Sequence, residues 1–420
     1  MREHSTNGTD AQMISLEEKV KWQLPASLVP DKKWDVVIIG AGPAGSIAAV
    51  HLAAKNHQVL LIDKQRFPRD KVCGDGLIQD ALRCLDNAGL GERIRERGHL
   101  VQIATAFSPS RIEVEVVGLF ITMKRRMLDT MIARRAVDLG ADFICGEVDK
   151  ISVKKDQSVC FSLRDIHRNF HAHVGIIATG ANVRLLQRIG WQAPSRPSAV
   201  AVRCYVTSSL ELDRMVISYD KSIAPGYAWI FPMGKHEYNV GCGISSRRAA
   251  KKSMHLKRAF EDFVREFPLA RELMRRRTAA TPLKGYALRY GFEGVYPYAR
   301  GPLLAIGETI GTTLPFTYEG IGKAMETGQL AAEIVHAALD SGNLRKLVEY
   351  PQRLESELKP RCRSYRIAQR WLAVPKINDF LLNRARKSKH SREILSGILT
   401  ETNDPREFFS LKGIIRTFFK

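Results

Sequence analysis

Asp35-Val-Val-Ile-Ile-Gly40-Ala-Gly42-Pro-Ala-Gly45 leads through small residues to Gln58-Val-Leu-Leu-Ile62-Asp63, and these two stretches decide the fold. The β-branched run 35–39 has the pattern of a buried parallel strand. Ser46 to Lys55 follows as a helical stretch, and Gln58 to Ile62 as a second strand ending at Asp63. The spacing is that of a βαβ dinucleotide-binding unit, GxGxxG with an acid closing the second strand. Gly40 allows the tight turn, Gly42 lets the backbone approach a pyrophosphate, and Gly45 lets helix and strand pack closely. The N-terminus of the helix that follows faces the phosphates with unpaired N–H groups and a positive dipole end. Asp63 can accept a hydrogen bond from a ribose hydroxyl. A Gly-rich turn in an unrelated α/β protein would carry the glycines without this combination of strands and acid.

The chain has 420 residues, roughly two to three domains' worth. Its hydrophobic content of 45% and charged content of 26% exclude a disordered or collagen-like chain. No apolar run approaches the ~20 residues of a membrane-spanning helix. The seven cysteines (Cys73, Cys84, Cys145, Cys160, Cys204, Cys242 and Cys362) are scattered and contain no CxxC pair, which argues against zinc and against a secreted disulfide framework. His51, His57, His167, His171 and His173 show no ligand spacing, so no metal site is expected. Met1 to Asp31 is polar and reads as a mobile tail with a short helix over Ser15–Gln23, without a signal core. A cytoplasmic location is expected, with peripheral contact to a membrane as an extension.

Further along, Lys64 to Leu77 is a basic, Gly/Pro-punctuated loop entering a helix near Ile78. Strands are expected over Leu119–Met123, Phe143–Val153, Ser158–Leu163 and Asn169–Ile177, the last ending in Ala178-Thr179-Gly180. A helix is expected over Met127–Leu139. Ser198 to Ser245 is strand-like, and Lys251 to Arg277 reads as helical and basic. The strand Leu303–Ile306 leads to Gly307-Glu308 and a helix from Gly320 to Leu339, and the last eighty residues read as helical.

Three nucleotide-type elements thus share one chain: the GxGxxG unit with Asp63, Ala178-Thr179-Gly180, and Leu303 to Glu308. Together they resemble the flavoprotein fold of the hydroxylases, in which one FAD threads a βαβ domain. Phe67-Pro-Arg-Asp-Lys-Val-Cys-Gly-Asp-Gly-Leu77 resembles the FPRxKxCGxGL loop of the geranylgeranyl reductase family. Tyr227-Ala-Trp-Ile-Phe-Pro232 with Gly241-Cys-Gly243 is similar to that family's YxWxFP…GxG cavity motif. Arg125-Arg-Met-Leu-Asp129 resembles its RxxFD segment, and Gly307 to Ile321 its GDAAGxxxPxxGEGI stretch, with Glu308 replacing Asp and Tyr318 replacing Gly.

The resemblance implies an α/β protein: a Rossmann-type FAD-binding domain, an inserted antiparallel-sheet substrate domain and a helical C-terminal region. The expected division is a tail over 1–33, a discontinuous FAD domain over 34–98, 123–188 and 295–340, a substrate domain over 99–122 and 189–294, and a basic helical region over 341–420. The implied cofactor contacts are Gly40, Gly42, Pro43, Ala44, Gly45, Asp63, Lys64, Lys71, Cys73, Gly74, Arg125, Val148, Thr179, Gly180, Gly307, Glu308, Gly320 and Ile321. Tyr227, Trp229, Phe231, Pro232, Gly241, Gly243 and Tyr318 form the implied substrate wall. Tyr227, Trp229 and Phe231 alternate along a strand and so share one face, suited to an isoprenoid chain or simply to core packing. Cys73 and Glu319 are the catalytic candidates, Glu319 as proton donor.

The expected activity is saturation of C=C bonds in a polyprenyl chain by hydride from reduced flavin, with electrons from NAD(P)H or a ferredoxin-type donor. The alternative is a flavin-dependent monooxygenase or halogenase on the same fold. Of the net charge of +21, Arg247–Arg277 carries +7 and Arg361–Lys420 carries +9. These basic stretches read as solvated helix faces or, since Phe408 to Lys420 has the pattern of an in-plane amphipathic helix, as contact with an anionic membrane surface holding a prenyl lipid. Zinc-finger spacing, an RNP motif and a helix-turn-helix are all missing from the sequence, and nucleic acid is not an expected partner.

Overall fold

The computed structural model describes residues 22–224, 226–246, 255–407 and 409. β1 (Lys33–Ile39), α1 (Pro43–Ala53) and β2 (Val59–Asp63) form the βαβ unit. β1 and β2 pair in parallel, Val36 opposite Val59 and Ile39 opposite Ile62. Val36 to Ile39 are all buried, the mark of a strand covered on both faces. α1 starts at Pro43 behind Gly42, with no side chain capping its first amides.

The chain then crosses to a second sheet. β3 (Gly76–Leu77) is followed by α2 (Gln79–Asn87), then by the antiparallel pair β4 (His99–Phe107) and β5 (Glu113–Thr122). β3 pairs with β5, so this short piece of 34–98 belongs to the second sheet. The return passes through α3 (Arg125–Asp138), β6 (Asp142–Cys145), β7 (Val148–Val153), β8 (Val159–Leu163) and β9 (Asn169–Ile177). The single strand expected over Phe143–Val153 is two. β6 runs parallel to β2 and β7 antiparallel to β8, with the break at Gly146-Glu147, where the Gly146 N–H bonds to the Asp63 carbonyl.

A second excursion gives β10 (Ala199–Ser208), β11 (Met215–Ser218), β12 (Tyr227–Pro232), β13 (Glu237–Ser245), α4 (Leu256–Glu266), α5 (Pro268–Arg275), β14 (Arg277–Ala280) and β15 (Lys284–Leu288). The helical stretch expected over Lys251–Arg277 consists of two helices. Pro268 has no N–H to continue α4 and instead opens α5. Residues 251–254 lie outside the described ones, and Arg277 already belongs to β14.

β16 (Leu303–Ala305) completes the first sheet, whose parallel order is β6-β2-β1-β9-β16. The second sheet runs β14-β10-β13-β12-β11-β4-β5-β3, antiparallel except for the parallel pair β11–β4, with β15 also on β10. α6 (Ile321–Asp340) lies against α1. α7 (Lys359–Leu372), α8 (Pro375–Lys387) and α9 (Lys389–Leu399) follow, and α8 and α9 pack on β5. Leu381, Leu382, Ile394 and Leu395 share a buried cluster with Val114, Val116 and Phe120. The C-terminal helices thus cover the second sheet.

Residues 1–21 of the expected tail lie outside the described ones, whereas Trp22 and Gln23 are docked. Trp22 packs on Phe67 and Phe143, and the Gln23 amide both donates to and accepts from the Phe67 backbone at 2.7 Å. The amphipathic helix expected over 408–420 also lies outside, except for Phe409, which is fully buried against Phe316. Among the described residues no helix is long and apolar enough to cross a membrane.

Candidate cofactor and substrate site

A cavity of about 930 Å³ lies between the two sheets. The first sheet lines it with Gly40, Gly42, Pro43, Ala44, Asp63, Lys64, Val148, Thr179, Gly180 and Glu308. The second sheet and the loops contribute Lys71, Cys73, Gly74, Tyr227, Trp229 and Phe231. Tyr318, Glu319, Gly320 and Ile321, at the start of α6, line it too. Phe120, Met215, Ile217, Phe316 and Leu399 make the remaining wall largely apolar.

The turn at α1 is shaped for an anion. Gly40 has φ +107°, and a Cβ at Gly42 would meet nothing closer than the Arg69 guanidinium at 3.8 Å. The uncapped amides of α1 therefore open onto free space. Asp63 accepts from the Ala41 and Gln65 N–H groups, each at 3.0 Å, and keeps acceptor capacity at the cavity wall. Lys71 sits 3.9 Å from Glu308, whose other oxygen accepts the Arg289 N–H at 3.2 Å. α6 points a second helix N-terminus at the same cavity.

Five of the expected residues stand behind the wall. A Cβ at Gly45 would lie 1.9 Å from the Gly40 carbonyl oxygen, and one at Gly307 would lie 2.7 Å from the Ala44 methyl. Gly241 leaves room for the Trp229 ring, which a Cβ would meet at 2.3 Å. Gly243 faces the Tyr318 ring at 3.6 Å, and the Pro232 carbonyl accepts from the Thr122 hydroxyl. Tyr318 stacks on Tyr227 with ring centroids 5.4 Å apart, and Tyr227, Trp229 and Phe231 follow one another at 6.0 and 6.3 Å. Gly74 gives way to the same aromatics, with Phe231 3.3 Å from its missing Cβ.

Behind this wall is a polar network for which the sequence offers only one local signal, an aspartate between two glycines. Asp75 is fully buried. It accepts from the Tyr205 hydroxyl at 2.5 Å, Asn239 Nδ2 at 2.8 Å and the Arg125 N–H at 3.3 Å. Asn239 also donates to the Cys73 carbonyl and accepts the Trp229 indole N–H at 2.9 Å, so one amide fixes both the loop and the ring. Burial pushes the Asp75 carboxyl up to about 6 despite these donors. Burial also pushes the Cys73 thiol up, so it stands in the wall as a neutral thiol beside Arg125. Arg125 is held by Asp129 at 2.6 and 2.8 Å, and Arg69 links Asp129 to Asp63.

An open helix N-terminus, a ribose-height carboxylate, a second helix start and an aromatic chamber fit a flavin dinucleotide and an apolar substrate. The fold and cavity define an FAD-dependent oxidoreductase. Residues 33–175 match the FAD binding domain family, and residues 198–278 match the geranylgeranyl reductase catalytic domain. The chain is 34% identical over 345 residues to menaquinone reductase of Mycobacterium tuberculosis, spanning 76% of this chain and 79% of that protein. It is 27% identical to digeranylgeranylglycerophospholipid reductase of Methanosarcina acetivorans, over 75% and 79% of the two chains. A geranylgeranyl bacteriochlorophyll reductase-like protein from Thermoplasma acidophilum shares the fold, with TM-score 0.74, 20% identity, and coverage of 93% and 96%. The chain belongs to the geranylgeranyl reductase family of FAD-dependent oxidoreductases.

Proposed function

We propose that this enzyme saturates C=C bonds in the polyprenyl chain of a lipid, with a prenylated quinone as the favoured substrate class. The observation that carries the reading is the face of β12, which turns Tyr227, Trp229 and Phe231 into the cavity that holds the dinucleotide turn. The quinone is favoured over a glycerolipid because the relative at 34% identity is a menaquinone reductase, while the glycerophospholipid reductase stands at 27%.

FAD, when bound and reduced by NAD(P)H or a ferredoxin-type donor, supplies the hydride. The α1 amides hold the pyrophosphate and Asp63 the ribose. The stacked rings of Tyr318 and Tyr227, with Trp229 and Phe231, exclude water and press an extended chain into one orientation. Asn239 holds the Trp229 ring in place. The neutral Cys73 thiol offers a weak donor at the wall without adding charge. A prenyl chain reaches this chamber from a bilayer, and the basic C-terminal region supplies the attraction to an anionic leaflet.

The test is anaerobic turnover of purified holoenzyme with a chemical reductant and a menaquinol, its ring already reduced, read by mass spectrometry. The expected product has gained one H₂ per bond saturated. Product formation that depends on O₂ would assign the enzyme to the oxygenase or halogenase class instead. Sedimentation with anionic vesicles, weakening as salt rises, tests the membrane contact.

A further inference from the structure

Reduction of an isolated alkene needs a proton as well as a hydride, and a buried acid stands at the cavity wall with an ionic cluster behind it. Glu319 lines the cavity. Its Oε1 accepts the Gly322 N–H at 2.8 Å, while its Oε2 is buried without a hydrogen-bond partner. Carboxyl oxygens of Asp80, Glu319 and Glu401 all lie within 4.8 Å of one another. Neither Asp80 nor Glu401 belongs to the wall. The Lys323 ammonium fills the place a cation would take, 3.1 Å from Asp80, 2.6 Å from Glu401 and 2.9 Å from Glu326. Arg361 reaches Glu401 at 2.9 Å and Glu326 at 3.6 Å from a side chain 42% exposed. The cluster thus runs from the cavity to solvent.

Its charges do not cancel. Asp80, Glu319, Glu326 and Glu401 face Lys323 and Arg361, with the half-exposed Arg83 3.8 Å from Glu326. At least one carboxyl is left without a cation, and close buried carboxylates share protons instead of all ionising. Glu319 makes no ion pair with either cation among the described residues, so the proton settles there. Its carboxyl is held well above the usual range by burial and by the charges of Asp80 and Glu401.

We propose that Glu319 is the acid that protonates the alkene, and that Asp80, Glu401 and Lys323 form the relay that recharges it from solvent at Arg361. The assignment rests on the alkene-reductase reading above. The C=C π pair breaks: one carbon takes H⁻ from the reduced flavin, which is oxidised, and the other takes H⁺ from the Glu319 carboxyl at the cavity wall. The resulting carboxylate regains H⁺ from solvent by way of Glu401, the carboxyl that meets Arg361 at the solvent edge, which passes it on directly, through Asp80 or across one water. The net change is one H₂ per alkene, with electrons from the donor that reduces the flavin. Lys323 stays charged throughout and compensates whichever carboxylate is transiently ionised.

The experiment is anaerobic stopped flow: enzyme reduced with dithionite is mixed with a menaquinol, whose ring is already reduced so that only the side-chain alkene can take the electrons, and the return of oxidised flavin absorbance is followed over one and then many turnovers. In Glu319→Gln, FAD content and reduction by dithionite stay as in wild type, while reoxidation by the alkene slows by about 10²–10⁴-fold, the usual weight of a general acid. In Glu401→Gln the first turnover proceeds at the wild-type rate, because Glu319 starts protonated, and later turnovers slow. Reoxidation of Glu319→Gln at the wild-type rate would overturn the donor. Should that variant fail to hold FAD, Glu401→Gln decides, since equal slowing of first and later turnovers means a structural role and overturns the relay. Wild-type enzyme that the prenyl substrate does not reoxidise overturns the reaction itself, and the relay with it.

Discussion

Asp75 shows how much of the site hides in single residues. The glycines of the GxGxxG turn and Asp63 are legible because their work is local: a turn, a close approach, a strand end. The fate of Asp75 is not local, since its partners Tyr205 and Asn239 come from β10 and β13, and only the fold brings them to it. Its folded pKa of about 6 exceeds the ordinary 3.8, so the folded protein binds this proton more tightly than the unfolded chain does. The stability linked to that proton is therefore complete below pH ~4 and lost as pH rises through ~6, a span worth about 3 kcal/mol. Asp75→Asn removes the titration. The stability of wild type relative to this variant, from urea unfolding of the FAD-bound proteins, falls by about 3 kcal/mol between pH ~4 and ~7 and is flat above. A difference that rises with pH would contradict the assignment.

At the scale of elements, strands and helices with strong periodicity were legible, and their interruptions were less so. Asn169–Ile177 is a strand as expected, and α6 begins one residue after the expected Gly320. The break at Pro268 escaped because basic and apolar residues keep helical spacing across it, and the break at Gly146 because apolar residues flank it on both sides. What fixes the cofactor turn is the contact of α6 on α1. A Cβ at Gly328 would lie 2.2 Å from the Ala44 carbonyl oxygen, which is backbone and cannot swing away. Gly328→Ala is expected to push α6 off α1 and cost about 1–3 kcal/mol, as overpacking does. Because Ala44 belongs to the turn proposed to hold the pyrophosphate, FAD content should fall as well. Denaturation midpoints and the flavin-to-protein absorbance ratio of the purified variant check both.

Across the whole molecule, the largest gap between sequence and structure is the C-terminal part, which charge alone marks as a basic appendage. Its apolar positions cover β5, Leu399 joins the cavity wall, and Glu401 reaches Lys323. Lys323 is 3% exposed and ties α2, α6 and this last segment together. Lys323→Met leaves the buried carboxylates without their cation and is expected to cost about 3–5 kcal/mol at pH ~8. The loss should shrink in acid, because the Glu401 carboxyl, already raised to about 7, and the raised Asp80 carboxyl then take up protons. Thermal unfolding of both proteins across that pH range measures it, and a pH-independent loss would contradict the account. The same ionic knot sets a timetable for biosynthesis. β1, α1 and α2 leave the ribosome early, but the ammonium that neutralises Asp80 and the carboxyl that completes the cluster follow only with residues 323 and 401. At ~5–20 residues per second the nascent chain waits tens of seconds with that aspartate unmatched. The flavin chamber therefore closes only late in translation, and a ribosome stalled before residue 323 holds a chain that cannot finish it.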